Sequence, residues 1–291
     1  MEATVTTITA QALEVRPVEL ARRGLRHELR AIWVVWQRDL MRISGDLPRI
    51  ISSLLQPLLF LFVLGAGLSA VVASRGASYK TFIFPGVVVT GILFTAVFSA
   101  ISIVWDREFG FLREMLVAPI SSSSIVLGKC LGGASIATVQ SFLLIAIAGL
   151  LNVPYRVGLI FGMAGIVFLA SFTMTAFGLV LAARVKSVQT VMPMVQLVIT
   201  PLMFISGSLY PIGPTAPRWL SVATRFNPLT YAVSASRHIV FHYLPHSAAG
   251  RLVYPITWNG WAVPTWLDVI VVAVTGVTLL SVACVMFGRE D

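Results

Sequence analysis

Long uncharged apolar runs alternate with short polar segments along the whole chain, and run length decides what each element is. A helix rises about 1.5 Å per residue, so about 20 consecutive apolar residues cross a hydrocarbon core roughly 30 Å thick. Six runs reach that length: approximately Ile50 to Val72, Phe82 to Trp105, Leu131 to Leu151, Val157 to Ala183, Val188 to Tyr210 and Leu267 to Phe287. Asp268, at the edge of the last run, is the one charged residue they contain, so the spans are expected to be uncharged inside. The pattern predicts an all-α polytopic membrane protein with six transmembrane helices.

Between and before these runs the spacing changes. Leu25, Leu29, Ile32, Trp33, Trp36, Leu40, Ile43 and Leu47 recur at helical intervals, with Arg22, Arg26, Arg30, Arg38 and Arg42 among them. This predicts an amphipathic helix lying flat in the headgroup region, its arginines toward anionic lipid. Residues 1–49 form a tail plus this helix, and 50–291 the transmembrane domain. The segment Asp106 to Lys129 mixes acids and bases with Phe109, Phe111, Leu112, Met115 and Leu116, which predicts a short amphipathic helix ended by Pro119 and the serines Ser121 to Ser124. Its apolar residues need a cover, either a partner protein or the membrane interface. Pro211 to Trp266 is too long and apolar for a plain loop. Asn227 followed by Pro228 reads as an N-cap with proline at the first helical position, opening a helix to about Tyr243 that stops before Pro245. With a shorter helix around Arg218 to Ala223 it makes a pair, re-entrant into the outer leaflet over about residues 211–245.

Composition agrees: 57% of the 291 residues are hydrophobic and 11% charged, with a mean hydropathy of +0.88. The net charge of +9 is spread through short inter-span segments and forms no single patch, which argues against nucleic acid as a partner. Arg16, Arg22, Arg23, Arg26, Arg30, Arg38, Arg42 and Arg49 precede the first run, and the segments after the second and fourth add Arg107, Arg113, Lys129, Arg184 and Lys186. The excess of Lys and Arg marks the cytoplasmic side, so both termini are expected inside. Trp33, Trp36, Trp105, Trp219, Trp258, Trp261 and Trp266 fall at or beyond span ends, at headgroup level. Met1 to Arg49 holds no cleavable signal pattern, so the first span is expected to direct insertion.

Little in the chain points to catalysis. Cys130 and Cys284 have no CxxC or histidine partner and read as free thiols. His238, His242 and His246 are spaced by four, but Pro245 intervenes and no carboxylate lies nearby, so an outer-surface face is favoured over zinc. A phosphate-cradling GxxxxGK[ST] loop is missing: Gly128 and Lys129 are followed by Cys130, and Ser123 stands where the first glycine belongs. Gly128 and Gly132, and Gly158 and Gly162, form GxxxG spacings that permit close helix approach. Pro193 and Pro201 should kink the fifth span. An ion-coupled transporter or channel is the main rival reading, and the uncharged spans weigh against it.

The string DREFGFLREMLVAPISSSSIVLGK, Asp106 to Lys129, resembles the coupling-helix region of type-2 ATP-binding-cassette (ABC-2) permeases, the group of daunorubicin-type drug exporters and nodulation-factor exporters. SGSLYPI (Ser206 to Ile212), PRWL (Pro217 to Leu220) and NPLTYAVSASR (Asn227 to Arg237) resemble the second hallmark of that family, and the resemblance covers roughly residues 25–290. It implies that Asp106, Arg107, Glu108, Phe109, Gly110, Phe111, Arg113, Glu114 and Met115 form the helix that docks on a partner ATPase. The N-terminal amphipathic helix would be the connecting helix, and Asn227, Pro228, Tyr231 and Arg237 would belong to the outer re-entrant motif. Where many members carry an acid three residues after the loop glycine, Arg113 stands here and Glu114 follows. The function implied is the permease subunit of an exporter moving an amphipathic drug, lipid or glycoconjugate, or a polysaccharide, out of a bacterial cell across the plasma membrane. ATP and magnesium are expected on the partner ATPase, with no cofactor or metal on this chain. The expected assembly is a homodimer with two ATPase copies, the path between the permeases lined by Met194, Gln196, Thr200, Phe204 and Ser206.

Overall fold

The computed structural model describes residues 24–44, 47–72, 79–110, 120–151, 153–213, 216–244, 253–258 and 260–288. In chain order the helices are α1 (Leu25–Ser44), α2 (Leu47–Leu59), α3 (Gly65–Val72), α4 (Tyr79–Ala100), α5 (Ser102–Glu108), α6 (Ser122–Ile145), α7 (Val157–Ala182), α8 (Val188–Ile205), α9 (Arg218–Phe226), α10 (Pro228–His242) and α11 (Thr265–Gly288). Six stretches are long and apolar enough to cross a membrane: Ile51–Ser69, Tyr79–Glu108, Ser122–Ile145, Val157–Ala182, Val188–Ile205 and Thr265–Gly288. The all-α architecture with six spans is the expected one, with an N-terminal helix before the first span and a helix pair, α9 and α10, between the last two.

α4 is apolar on every side and almost wholly buried, as a helix without a polar face must be. α6, α7 and α10 pack directly on it, and α11 closes the bundle against α7 and α10. On α8 only Val191, Val195, Ile199 and Met203 are buried, one stripe at intervals of four, with Val188, Met194 and Leu202 half-buried against the core and most other positions exposed.

Several boundaries differ from the sequence reading. The third span begins at Ser122, nine residues before Leu131. Ser121 caps it by accepting a hydrogen bond from the Ser124 amide at 3.2 Å, so the serine run opens a helix where it was expected only to end one. Lys129, expected in a loop, therefore lies inside this span. The second span bends at Ile101 and continues through α5 to Glu108. The fifth ends at Ile205, where Gly207 adopts a positive φ of 68° that a side chain would strain, before Tyr210 is reached. Phe60–Leu64 forms a π-helical turn just after Pro57, whose ring removes one backbone donor. α8 stays helical through Pro193 and Pro201.

The GxxxG spacings are used within the chain. A Cβ on Gly128 would sit 2.7 Å from the Val35 Cβ, and one on Gly132 3.0 Å from the Asp39 Cβ, so these glycines form the seat for α1 on α6. Gly158 and Gly162 likewise face Tyr243 and Ile239 at the end of α10. α1 thus has two faces: Val35 is buried against α6, whereas Leu25, Leu29 and Trp33 are exposed for lipid or another chain.

α9 and α10 connect two consecutive spans, so the pair enters and leaves at one membrane face. A two-residue antiparallel ladder, Thr257–Trp258 with Trp261–Ala262, adds a small element that the periodicity does not signal. Gly260 turns it with φ 87°.

Candidate functional site

The base of the segment after the second span is held by buried charge. Lys129, at the eighth position of α6, is 2% exposed. Its Nζ lies 2.6 Å from Asp106 Oδ2 and 3.2 Å from Asp39 Oδ1, and donates to Ser102 Oγ at 3.1 Å. Arg38 Nη2 donates to Asp106 Oδ2 at 3.0 Å, and Arg42 approaches the other Asp106 oxygen at 4.0 Å. α1, α5 and α6 are thereby joined through one charge cluster in which the fully buried cation is matched by two carboxylates. The spans' interiors are not uncharged as expected; Lys129 is tolerated because its partners are desolvated with it.

The next two residues reach the far side of the same end. Arg107 Nη1 donates to the Val185 carbonyl at 2.8 Å, and its guanidinium stacks 5.4 Å from the Phe287 ring centroid near the end of α11. Glu108 Oε2 accepts from the Val188 amide, the first residue of α8, at 2.9 Å, where a carboxylate meets the positive end of the helix dipole. Three successive residues therefore touch α1 and α6, then α11, then the start of α8. Phe109 is exposed and stacks on Trp105 at 5.6 Å, and Gly110 leaves the helix at φ 82°. Phe111, Arg113, Glu114 and Met115 lie outside the described residues, as do residues 1–23 of the tail.

Glu28 braces the same end from α1. Its Oε2 accepts from Ser124 Oγ at 2.5 Å, Ser121 Oγ at 2.7 Å and the Ser121 amide at 3.3 Å. The Ser124 hydrogen bond, then that of Ser121, holds its carboxyl below the ordinary glutamate value.

The residues expected to line the path are divided. Gln196 Nε2 donates to Thr200 Oγ1 at 3.2 Å on the outward face of α8, with Phe204 exposed along the same stripe. Met194 is half-buried on another face and packs against the core. Ser206 is buried beyond the helix end and donates to the Met203 carbonyl at 2.6 Å.

At the opposite end of the bundle, Asn227 caps α10 by accepting from the Leu229 amide at 3.0 Å while its Nδ2 donates to the Leu202 carbonyl at 2.7 Å. Pro228 fills the first helical position. Tyr231 Oη donates to the Arg225 carbonyl at 2.7 Å and accepts from Trp258 Nε1 at 3.1 Å. Arg237 Nη2 donates to the Gly207 and Ser208 carbonyls at 2.7 and 3.1 Å, with its guanidinium 4.2 Å from the Phe82 ring centroid. The re-entrant pair is thus tied to the end of α8 and the start of α4, where Tyr79 Oη also bonds the Leu209 carbonyl. The loop approaches so closely that a side chain on Gly86 would collide with the Ser208 carbonyl.

Two functional-looking groups escaped the sequence reading. Asp39 was one polar position on an amphipathic helix, and its partner Lys129 lies 90 residues away. Asp268, read as an edge residue, is fully buried, 3.7 Å from His238 Nδ1, so His238 does not sit on a simple outer surface. His242 stacks edge-on with Tyr243 at 5.2 Å, and His246 lies outside the described residues. Among the described residues no three His, Cys, Asp or Glu side chains gather as a metal site.

Comparison with known proteins adds an independent line. Residues 30–241 match the ABC-2 type transporter family. The chain is 29% identical over 213 residues to nodulation protein J of Rhizobium leguminosarum bv. trifolii, covering 72% of this chain and 80% of that protein. Nodulation protein J of Rhizobium meliloti is 27% identical over 213 residues, with the same coverage of 72% and 80%. A Mycobacterium tuberculosis protein named probable doxorubicin resistance ABC transporter permease protein DrrC is 25% identical over 237 residues, covering 79% of this chain and 85% of that one.

Proposed function

The chain belongs to the ABC-2 type transporter family, and from that premise we propose that it is the permease subunit of an ATP-driven exporter. A multi-pass transport permease of this family works with an ABC ATPase as its general kind of partner. The finer reading is that two copies of this chain pair in a bacterial plasma membrane, termini cytoplasmic, and bind two copies of a separate ATPase that carries ATP and magnesium. The substrate class is an amphipathic drug, lipid or glycoconjugate, with polysaccharide as the alternative. A nodulation protein and a probable doxorubicin resistance ABC transporter permease among the relatives support this reading.

One observation carries the coupling role: Asp106, Arg107 and Glu108 make consecutive contacts with α1 and α6, with α11, and with the first residue of α8. A push delivered to Asp106, Arg107 and Glu108 would reach every one of these elements through direct side-chain contacts. ATP binding that favours the closed ATPase pair would then bias the spans between two arrangements. The outward face of α8, with Gln196, Thr200 and Phe204, is assigned to the path between the two permeases, and Met194 and Ser206 to its support. In this reading residues 1–49 are the tail and connecting helix and 50–291 the permease body.

The test is co-expression with the ATPase and affinity recovery of the complex. Lysine at both Glu108 and Glu114 should reduce ATPase recovery at least tenfold while the permease still inserts; unchanged recovery contradicts the coupling assignment. A second reading, ion-coupled transport, is favoured by one feature, the buried Asp268 facing His238. It predicts cargo movement by the permease alone under a proton or sodium gradient.

A further inference from the structure

A cavity of about 490 Å³ opens beside the re-entrant pair, lined by Arg225, Arg237, Ser221, Thr230, Ser234 and Tyr254 among others. Its charge is one-sided. The sequence holds no Asp or Glu between Glu114 and Asp268, so every residue lining the cavity comes from a stretch without a carboxylate. Asp268 is turned to His238 and does not line it.

Two of the lining groups are buried with unfilled hydrogen-bonding capacity. Arg237 is 8% exposed and Thr230 6%. Arg237 Nε and Thr230 Oγ1 have no hydrogen-bond partner among the described residues. Arg237 spends one nitrogen on two carbonyls and its face on Phe82, which fix its position but bring no negative charge. A buried cation left without a counter-charge is costly, and a buried donor left free adds to that cost. A guanidinium with a spare N–H, a second arginine at the rim and three nearby hydroxyls form the donor set that a tetrahedral oxyanion takes up. Ile212, Val253 and Ile256 supply an apolar wall, and the volume lies within the usual range for small-molecule pockets, roughly 300–1,000 Å³.

We propose that this cavity binds a phosphate group, with Arg237 and Arg225 as its cationic ligands and Thr230 as a hydroxyl donor. The group can arrive on a lipid-like headgroup or as the free ion, and the apolar wall favours the headgroup. That the site faces outward, and so receives cargo at release, rests on the exporter reading; the binding itself does not.

The experiment uses the full permease in lipid discs without its ATPase and follows thermal unfolding and equilibrium binding. The probes are dihexanoyl phosphatidic acid, uncharged dihexanoylglycerol and inorganic phosphate. Saturable binding of the phosphatidic acid, at least tenfold tighter than the glycerolipid, is expected, with R225Q and T230V each weakening it about tenfold. R237Q should abolish it, and the two rim and hydroxyl variants keep the test decisive should that protein not fold. Phosphate binding as tightly as phosphatidic acid assigns the site to the free ion; much weaker binding assigns it to a headgroup. Equal binding of the charged and uncharged lipids, or wild-type affinity in both R225Q and T230V, overturns the proposal. ATPase recovery by the unsubstituted permease is scored separately, so its failure would sink the exporter reading and leave the phosphate site standing.

Discussion

At the end of the bundle built from α1, α5 and the start of α6, the buried Lys129 meets two carboxylates. At the other end, the buried Arg237 meets carbonyls and an aromatic ring, with no carboxylate among the described residues. In the first arrangement every charge has an opposite partner: Asp39 and Asp106, with Arg38 and Arg42 at the half-exposed edge, tie α1, α5 and α6 to the Lys129 ammonium. The second leaves a guanidinium N–H and its charge unmet among the described residues, which is what the proposed phosphate would satisfy. Matched charge at one end and unmet charge at the other is a contrast that single substitutions can test.

The largest effect is expected at Lys129. Lys129→Met removes the fully buried ammonium from Asp39 and Asp106, leaves them only the half-exposed Arg38 and Arg42 as counter-charges, and should cost about 3 kcal/mol in unfolding experiments in lipid discs. Adding Asp39→Asn should recover part of the loss, because the uncompensated charge, not the missing contact, is the cause. At the opposite end, Gly86→Ala drives a methyl group into the Ser208 carbonyl and should cost about 1–3 kcal/mol while moving the Ser206–Tyr210 loop, read by cysteine accessibility on that loop. Asn227→Ala removes the cap of α10 and should cost about 1 kcal/mol, with faster amide exchange confined to the first turn of that helix.

The smallest effect is a pH response at the end where Glu28 meets α6. Hydrogen bonds from Ser124 and Ser121 depress the Glu28 carboxyl below its ordinary value near 4.5, so the stability it contributes is present above that value. It is lost as pH falls through the lowered folded value. Amide exchange at Ser124 and Ile125 should therefore accelerate on acidification below the ordinary glutamate range, and Glu28→Gln should abolish that dependence. The α10 cap, made by an asparagine, should show no such change.

The spans, the flat N-terminal helix and the α9–α10 pair are readable because each follows from local rules: run length, helical spacing of Leu25, Leu29 and Ile32, and an Asn–Pro cap. What is not readable is set by partners far along the chain. Lys129 looks like a loop residue until Asp39 and Asp106 surround it, so the apolar run alone starts the third span nine residues late. Asp268 looks like an interfacial acid until α10 covers it. Gly128 and Gly132 show that helices can approach there, but only the fold shows that the helix which does so is α1. Of the coupling segment, Asp106, Arg107 and Glu108 are legible as a charged turn, whereas their three separate contacts are tertiary facts.

The central claim is that work enters through the segment from Asp106 to Met115, supplied by a separate ATPase. The direct measurement is ATP turnover and cargo movement in sealed lipid vesicles holding the permease with and without its co-expressed ATPase. Cargo should move only with both proteins and ATP present, and lysine at both Glu108 and Glu114 should abolish movement while leaving the ATPase's own turnover intact. Cargo movement by the permease alone, driven by a proton or sodium gradient, would contradict the account.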